Sequence, residues 1–207
     1  MLRFMARAGL SAQRVTLAAA DLADTAGLDG VTISAVARGF GVKDASLYSH
    51  VRNLQDLRHR IALLAAGELV DRIGAAVAGR SGRDALLAFA DAYRAYALTH
   101  PGRYAATQLP LPPELVTADP VAFRRTYELT YGMLRGYGLS EPDLTDAVRL
   151  LRSTFHGFVS LEATGGFGHP RDVELSWRRS VEALHVLLEH WPAATPGDTP
   201  REDTPAP

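Results

Sequence analysis

Thr32, Lys43, Ala45, Ser46, Tyr48, Ser49, His50 and Arg52 are the residues of this chain whose types and spacing most directly suggest chemistry. Between them they offer two permanent cations, four hydroxyls and an imidazole. Such short or hydrogen-bonding side chains suit phosphate oxygens and base edges better than a protein core. Thr32 stands where a helix N-terminus can hold a phosphate through its backbone N–H groups, and Arg52 follows the group at a position suited to a second phosphate.

To present these groups outward, the surrounding residues must build a small scaffold. Val15, Ala18, Ala19, Leu22 and Ala26 recur at helical spacing, with Ser11 as an N-cap and Gly27 as a stop. A short second helix starts at Thr32 and turns Ile33, Val36 and Ala37 inward. Gly39-Phe40-Gly41 breaks it, and Gly41 can take the positive φ that a tight interhelical turn needs. A third short helix is predicted over 44–50, with Leu47 closing a miniature core alongside Val42 and Val36. That arrangement pushes the second helix of the pair outward, where it can enter a major groove. A long helix then opens at Asn53, with Leu54, Leu57, Ile61 and Leu64 on one face.

Residues 10–65 resemble the N-terminal domain of the TetR family of transcriptional regulators. The resemblance is carried by Thr32, Ala37, Gly41-Val42, the Leu47-Tyr48-x-His50 signature and Leu54. Val51 stands where that family most often has phenylalanine, and Lys43-Asp44 where small hydroxyl residues are common. Asp44 would face phosphates unfavourably unless it caps the helix. The C-terminal part is similar to a subgroup named for a Trp-His-Gly motif, with Phe155-His156-Gly157 in that place, followed by Phe158 and Gly165-Gly166-Phe167. The resemblance implies an all-α dimer whose C-terminal helices form a ligand pocket and the dimer interface. It also implies a repressor that a ligand releases from DNA.

The rest of the chain reads as helical throughout, with no sustained strand alternation. Helices are predicted over about 83–100, ended by Pro101, and over 121–137, 141–164 and 170–191. Residues 108–120 hold four prolines and read as a loop. The expected organisation is an all-α protein. It has a three-helix helix-turn-helix domain over 1–52, a helical ligand-binding and dimerisation domain over 53–191, and a disordered proline-rich tail over 192–207.

Phe89, Tyr93, Tyr96, Tyr127, Tyr131, Phe155 and His156, together with Tyr104, form an aromatic set richer in hydroxyls than an ordinary core. Buried phenols need partners, so the set reads either as a ligand pocket or as packed core. Trp177, Val181, Leu184, Leu188 and Trp191 step by four, three, four and three. With Leu144, Val148, Leu151, Phe155 and Val159 on the preceding helix, this seam serves either intrachain packing or a four-helix dimer interface. The dimer reading takes Leu144, Val148, Trp177, Val181, Leu184 and Leu188, because two half-sites multiply the affinity of a small DNA reader.

Composition narrows the remaining classes. The chain has 207 residues, 47% of them hydrophobic, and no cysteine, which removes disulfides, thiolate zinc sites and cysteine nucleophiles. Residues 1–60 hold eight Lys/Arg against five Asp/Glu, whereas the remainder holds fourteen against eighteen. A mildly basic end on an acidic body suits DNA contact at one end. Arg3, Arg7 and Arg14 read as a basic arm beside DNA or, alternatively, as part of a transit peptide. There is no apolar run of about 18 residues to span a membrane. Nor is there a nucleophile elbow, a Walker loop, a His-Glu-x-x-His pair or a full dinucleotide fingerprint. The expectation is a non-enzymatic cytoplasmic regulator without metal or cofactor. Its expected partners are a palindromic double-stranded operator, a small effector and a second copy of itself. The alternative is an all-α ligand-binding or enzymatic protein with a vestigial helix-turn-helix.

Overall fold

The computed structural model describes residues 9–118 and 120–192. The basic arm at Arg3 and Arg7, and the tail beyond 192, lie outside the described residues. Nine helices are described: α1 (Ala12–Ala26), α2 (Ile33–Phe40), α3 (Leu54–Val77), α4 (Gly82–Thr99), α5 (Pro101–Ala106), α6 (Pro113–Ala118), α7 (Pro120–Arg135), α8 (Asp143–Ala163) and α9 (Val173–Glu189). No strand occurs among the described residues. None of the described helices is long and apolar enough to cross a membrane.

The start signals act where the sequence places them. Ser11 accepts from the N–H of Arg14, Thr32 from that of Ala35 and Asn53 from that of Asp56, so each satisfies a donor that its helix leaves open. Gly27 stops α1 at φ 77°.

The prolines do more than the sequence reading gives them. Pro101 ends α4 as expected, after Thr99, and it also opens α5, while Pro113, expected in a loop, opens α6. Proline has no N–H to lose at a first helical position, and its fixed φ already suits the helix. The predicted helix over 44–50 is also shorter than expected. A 3₁₀ turn covers Asp44–Ser46, and non-helical turns carry the chain on to His50.

Two apolar clusters organise the chain. One joins Val15, Ala19, Val36, Leu47 and Val51 to Leu57, Ile61 and Ala62 of α3 and to Ala106 of α5. The other begins at Ala65 and gathers Phe89, Tyr93, Leu134, Leu151, Phe155 and Trp177. The 24 residues of α3 span about 36 Å and serve both clusters.

Candidate nucleic-acid interface and regulatory core

The first cluster holds the proposed reading residues on a rigid frame. Gly41 sits in the left-handed region at φ 70°, and the N–H of Val42 returns to the carbonyl of Ala37, closing the turn. Leu47 is fully buried and points the turn inward, while Val51, in the place of the commoner phenylalanine, is buried beside it. Asp44 accepts from the Ser34 hydroxyl on α2. Its carboxylate therefore ties the two short elements together.

Thr32, Lys43, Ala45, Ser46, Tyr48, Ser49 and Arg52 are all exposed, and His50 is half-buried. Tyr48 is 56% exposed. The hydroxyl of Ser49 donates to the carbonyl of Ser46 at 2.9 Å and lies on the outer side of the turn. Arg52 lies 3.7 Å from the Asp56 carboxylate, and its backbone N–H donates to the same group. Burial raises the Asp56 carboxyl, but the Arg52 N–H and the Arg60 guanidinium outweigh it and hold the group below the usual carboxylate range. Asp56 therefore stays charged and anchors the start of α3.

A second feature was not visible in the sequence. Helix α5 lies against α1 so closely that a Cβ on Gly102 would stand 2.0 Å from the backbone C and O of Ala23. The next residue, Arg103, is buried. Its Nη1 reaches Asp24 at 2.9 Å, its Nη2 reaches Asp21 at 2.5 Å, and its backbone N–H donates to Asp24 at 2.8 Å. His100 Nδ1 lies 2.9 Å from the same Asp24 carboxylate. Glu68 on α3 stands 3.6 Å from Arg103 Nε and accepts from the Tyr96 hydroxyl at 2.9 Å. Burial, reinforced by Glu68, pushes the Tyr96 phenol well up, so it remains a donor.

The aromatic set is only partly brought together. Phe89, Tyr93 and Phe155 are buried as one group, with Phe89 and Tyr93 at ring distances of 6.0 and 5.6 Å from Phe155. The Tyr93 and Tyr104 hydroxyls lie 2.7 Å apart, and Tyr104 lies 2.7 Å from His156 Nδ1. Tyr96 faces the Arg103 cluster instead. Tyr127 is 59% exposed and packs edge-on against Tyr131 on α7, whose hydroxyl turns to Thr145. Tyr131 packs against the edge of the cluster that holds Phe155, whereas Tyr127 lies outside it. Two open clefts, of about 620 Å³ beside His185 and about 300 Å³ beside Phe167, are lined by none of these aromatics.

The domain family described as "Tetracyclin repressor-like, C-terminal domain" matches residues 86–184. An uncharacterized HTH-type transcriptional regulator of Mycobacterium tuberculosis is 38% identical over 162 residues, which is 76% of this chain and 72% of that protein. The HTH-type transcriptional regulator YobS of Bacillus subtilis is 33% identical over 180 residues, 86% of this chain and 92% of that protein. The chain belongs to the TetR family of transcriptional regulators. The fold agrees: a TetR structure from Acinetobacter baumannii AYE in complex with minocycline has a TM-score of 0.68 at 20% identity, covering 90% of this chain and 100% of that one.

Within this TetR fold the proposed dimer seam needs correction. Leu144, Trp177, Val181, Leu184 and Leu188 are buried inside a single chain. Trp177 packs on Phe155 and Phe158, and its indole N–H donates to Asp91 on α4 at 2.9 Å. Val148 is half-buried against the same core. A 4-3-4-3 repeat reports that one face of α9 is buried, and here the chain's own α4 and α8 bury it. The opposite face of α9 leaves Leu175 and Val186 half exposed, at 51% and 55%.

Proposed function

We propose that this TetR-family chain is a homodimeric, sequence-specific DNA-binding regulator, a repressor that a small, largely apolar ligand releases from a palindromic operator. The single observation that carries the DNA reading is the outward presentation of Lys43, Ala45, Ser46, Tyr48 and Ser49 on a turn whose inner side is sealed by Leu47. Residues 1–52 are the reading unit in this proposal, and 53–191 the sensing and pairing unit.

Arg52→Ala tests the reading head. Loss of one phosphate contact weakens all sequences alike and lowers the slope of log K against log salt by about one unit. Ser46→Ala should instead change sequence preference. An Arg52→Ala protein with an unchanged salt slope, measured by fluorescence anisotropy, would take Arg52 off the phosphate list.

For pairing, the outer faces of α8 and α9 replace the buried seam. Ser153, Gly157 and Ser160 on α8 are small, which permits close approach of a partner helix, and Leu175 and Val186 on α9 supply apolar area. Val186→Glu should cost about 2 kcal/mol or more if it lies in the centre of the interface. Light scattering should then show monomer at concentrations where the parent is dimeric. A dimeric Val186→Glu protein would move the interface elsewhere. Two heads on one dimer would span half-sites about 34–36 Å apart or a multiple of that.

Release requires a route from sensing unit to head. Consecutive residues of α5 face both: Arg103 holds Asp21 and Asp24 of α1, and Tyr104 joins Tyr93 and His156. A ligand that displaces Tyr104 would therefore pull on Arg103. A coupling of about 1–3 kcal/mol is typical, and linkage makes operator weaken ligand by the same factor.

A further inference from the structure

The hydroxyls at the core of the sensing unit form a directed chain. Tyr93 is buried, and its hydroxyl has Tyr104 as its hydrogen-bond partner. If Tyr93 only accepted, its own O–H would be left unsatisfied among aromatic rings. It therefore donates to Tyr104, and Tyr104 donates to His156 Nδ1. His156 is then the tautomer with its proton on Nε2, and that N–H has no partner among the described residues. One turn earlier on the same side of α8 stands Arg152, which is exposed and has neither a hydrogen bond nor an ion pair among the described residues. At the edge of the aromatic group, α8 thus presents two donors with no partner among the described residues.

We propose that Arg152 and the His156 Nε2–H form a receptor for an anionic head group, a carboxylate above all, on an effector whose apolar part opens the packed core at Phe89 and Phe155. This rests on the ligand-release reading and names the chemical class of the effector. A planar guanidinium takes a carboxylate through two parallel hydrogen bonds, and an imidazole N–H can satisfy a remaining lone pair. The phenols behind it do not oppose the charge. Burial raises both Tyr93 and Tyr104, so they stay neutral beside an anion. The chain also gives the anion a consequence. Recruiting His156 shifts the acceptor that Tyr104 leans on, and Tyr104 follows Arg103 on α5.

The test compares decanoate with 1-decanol on the full-length protein by calorimetry, and repeats both against the protein bound to its operator. Decanoate should bind at least about tenfold more tightly than decanol, the scale of a charge-assisted hydrogen bond. Arg152→Gln, a substitution at an exposed site, should abolish that preference while leaving decanol binding unchanged. Equal affinities for the two probes would overturn the anion site while leaving release by an apolar ligand standing, provided that both still displace operator. A decanoate preference without operator displacement would keep the anion site and overturn release. Failure of decanoate to bind at millimolar concentration overturns the anion site. So does an Arg152→Gln protein that turns monomeric but keeps the decanoate preference, because Arg152 would then serve a partner subunit.

Discussion

Gly102→Val is expected to lever the reading head off the sensing unit by forcing α5 away from α1. The added Cβ would stand 2.0 Å from the backbone of Ala23 and 2.6 Å from the N of Asp24. A backbone cannot rotate away as a side chain can, so α5 must lift from α1. Overpacking of this kind costs about 1–3 kcal/mol, and a backbone clash belongs at the upper end, a melting shift of roughly 6–12 °C for a chain of this size. Lifting α5 also draws Arg103 away from Asp21 and Asp24. The variant should therefore bind operator with a response to ligand that is largely lost. Gly67→Ala is the control. It lies inside α3 with nothing within 4 Å of its Cβ, so alanine there should hold or raise the melting temperature by removing a glycine from a helix interior. If Gly102→Val melts with the parent and keeps its ligand response, the close contact has no energetic weight.

The head was legible in the sequence because its critical positions admit few residue types. Ser11, Thr32 and Asn53 cap helices, Gly41 adopts a left-handed turn, and Leu47 fills a buried site among small alanines. Each of these demands is local, within about four residues. What stayed hidden depends on distance along the chain. Asp44 has its partner ten residues away at Ser34, and Arg103 finds Asp24 across 79. A charged residue in a short stretch such as Pro101-Gly-Arg-Tyr104 gives no sign that it will be buried. Periodicity has a matching limit. The steps from Trp177 to Leu188 locate a buried face of α9 but not what buries it, and α4 and α8 of the same chain do so. Helical spacing likewise grouped Tyr127 and Tyr131 with the other aromatics, although α7 turns Tyr127 to solvent. Pro113 escapes a loop reading because a helix breaker in the interior is a helix starter at the first position.

Arg103→Ala should be the most damaging single substitution at this junction. The Arg103 side chain is 10% exposed and neutralises Asp24, whose side chain is 12% exposed. Removing the cation strands a mostly buried carboxylate, a change that commonly costs about 3–5 kcal/mol. His100 and the backbone N–H of residue 103 still reach Asp24, so the loss should fall short of a fully orphaned charge. Adding Asp24→Ala should then restore part of the stability, because the unpaired group itself is gone. Residues in one ion-pair network show interaction energies of about 0.5–3 kcal/mol in such a cycle. The same cycle, read in operator affinity with and without ligand, separates two routes to the head. If α5 carries the signal, Arg103→Ala binds operator almost alike in both conditions, and the double variant does not recover the difference even as it recovers stability. Arg103 joins three elements at once, α1 through Asp21 and Asp24 and α3 through Glu68. A stability rescue without a coupling rescue would thus assign the signal to the guanidinium rather than to general packing. A full ligand response in Arg103→Ala would instead leave α3, the one long helix shared by both apolar clusters, as the lever that moves the reading turn.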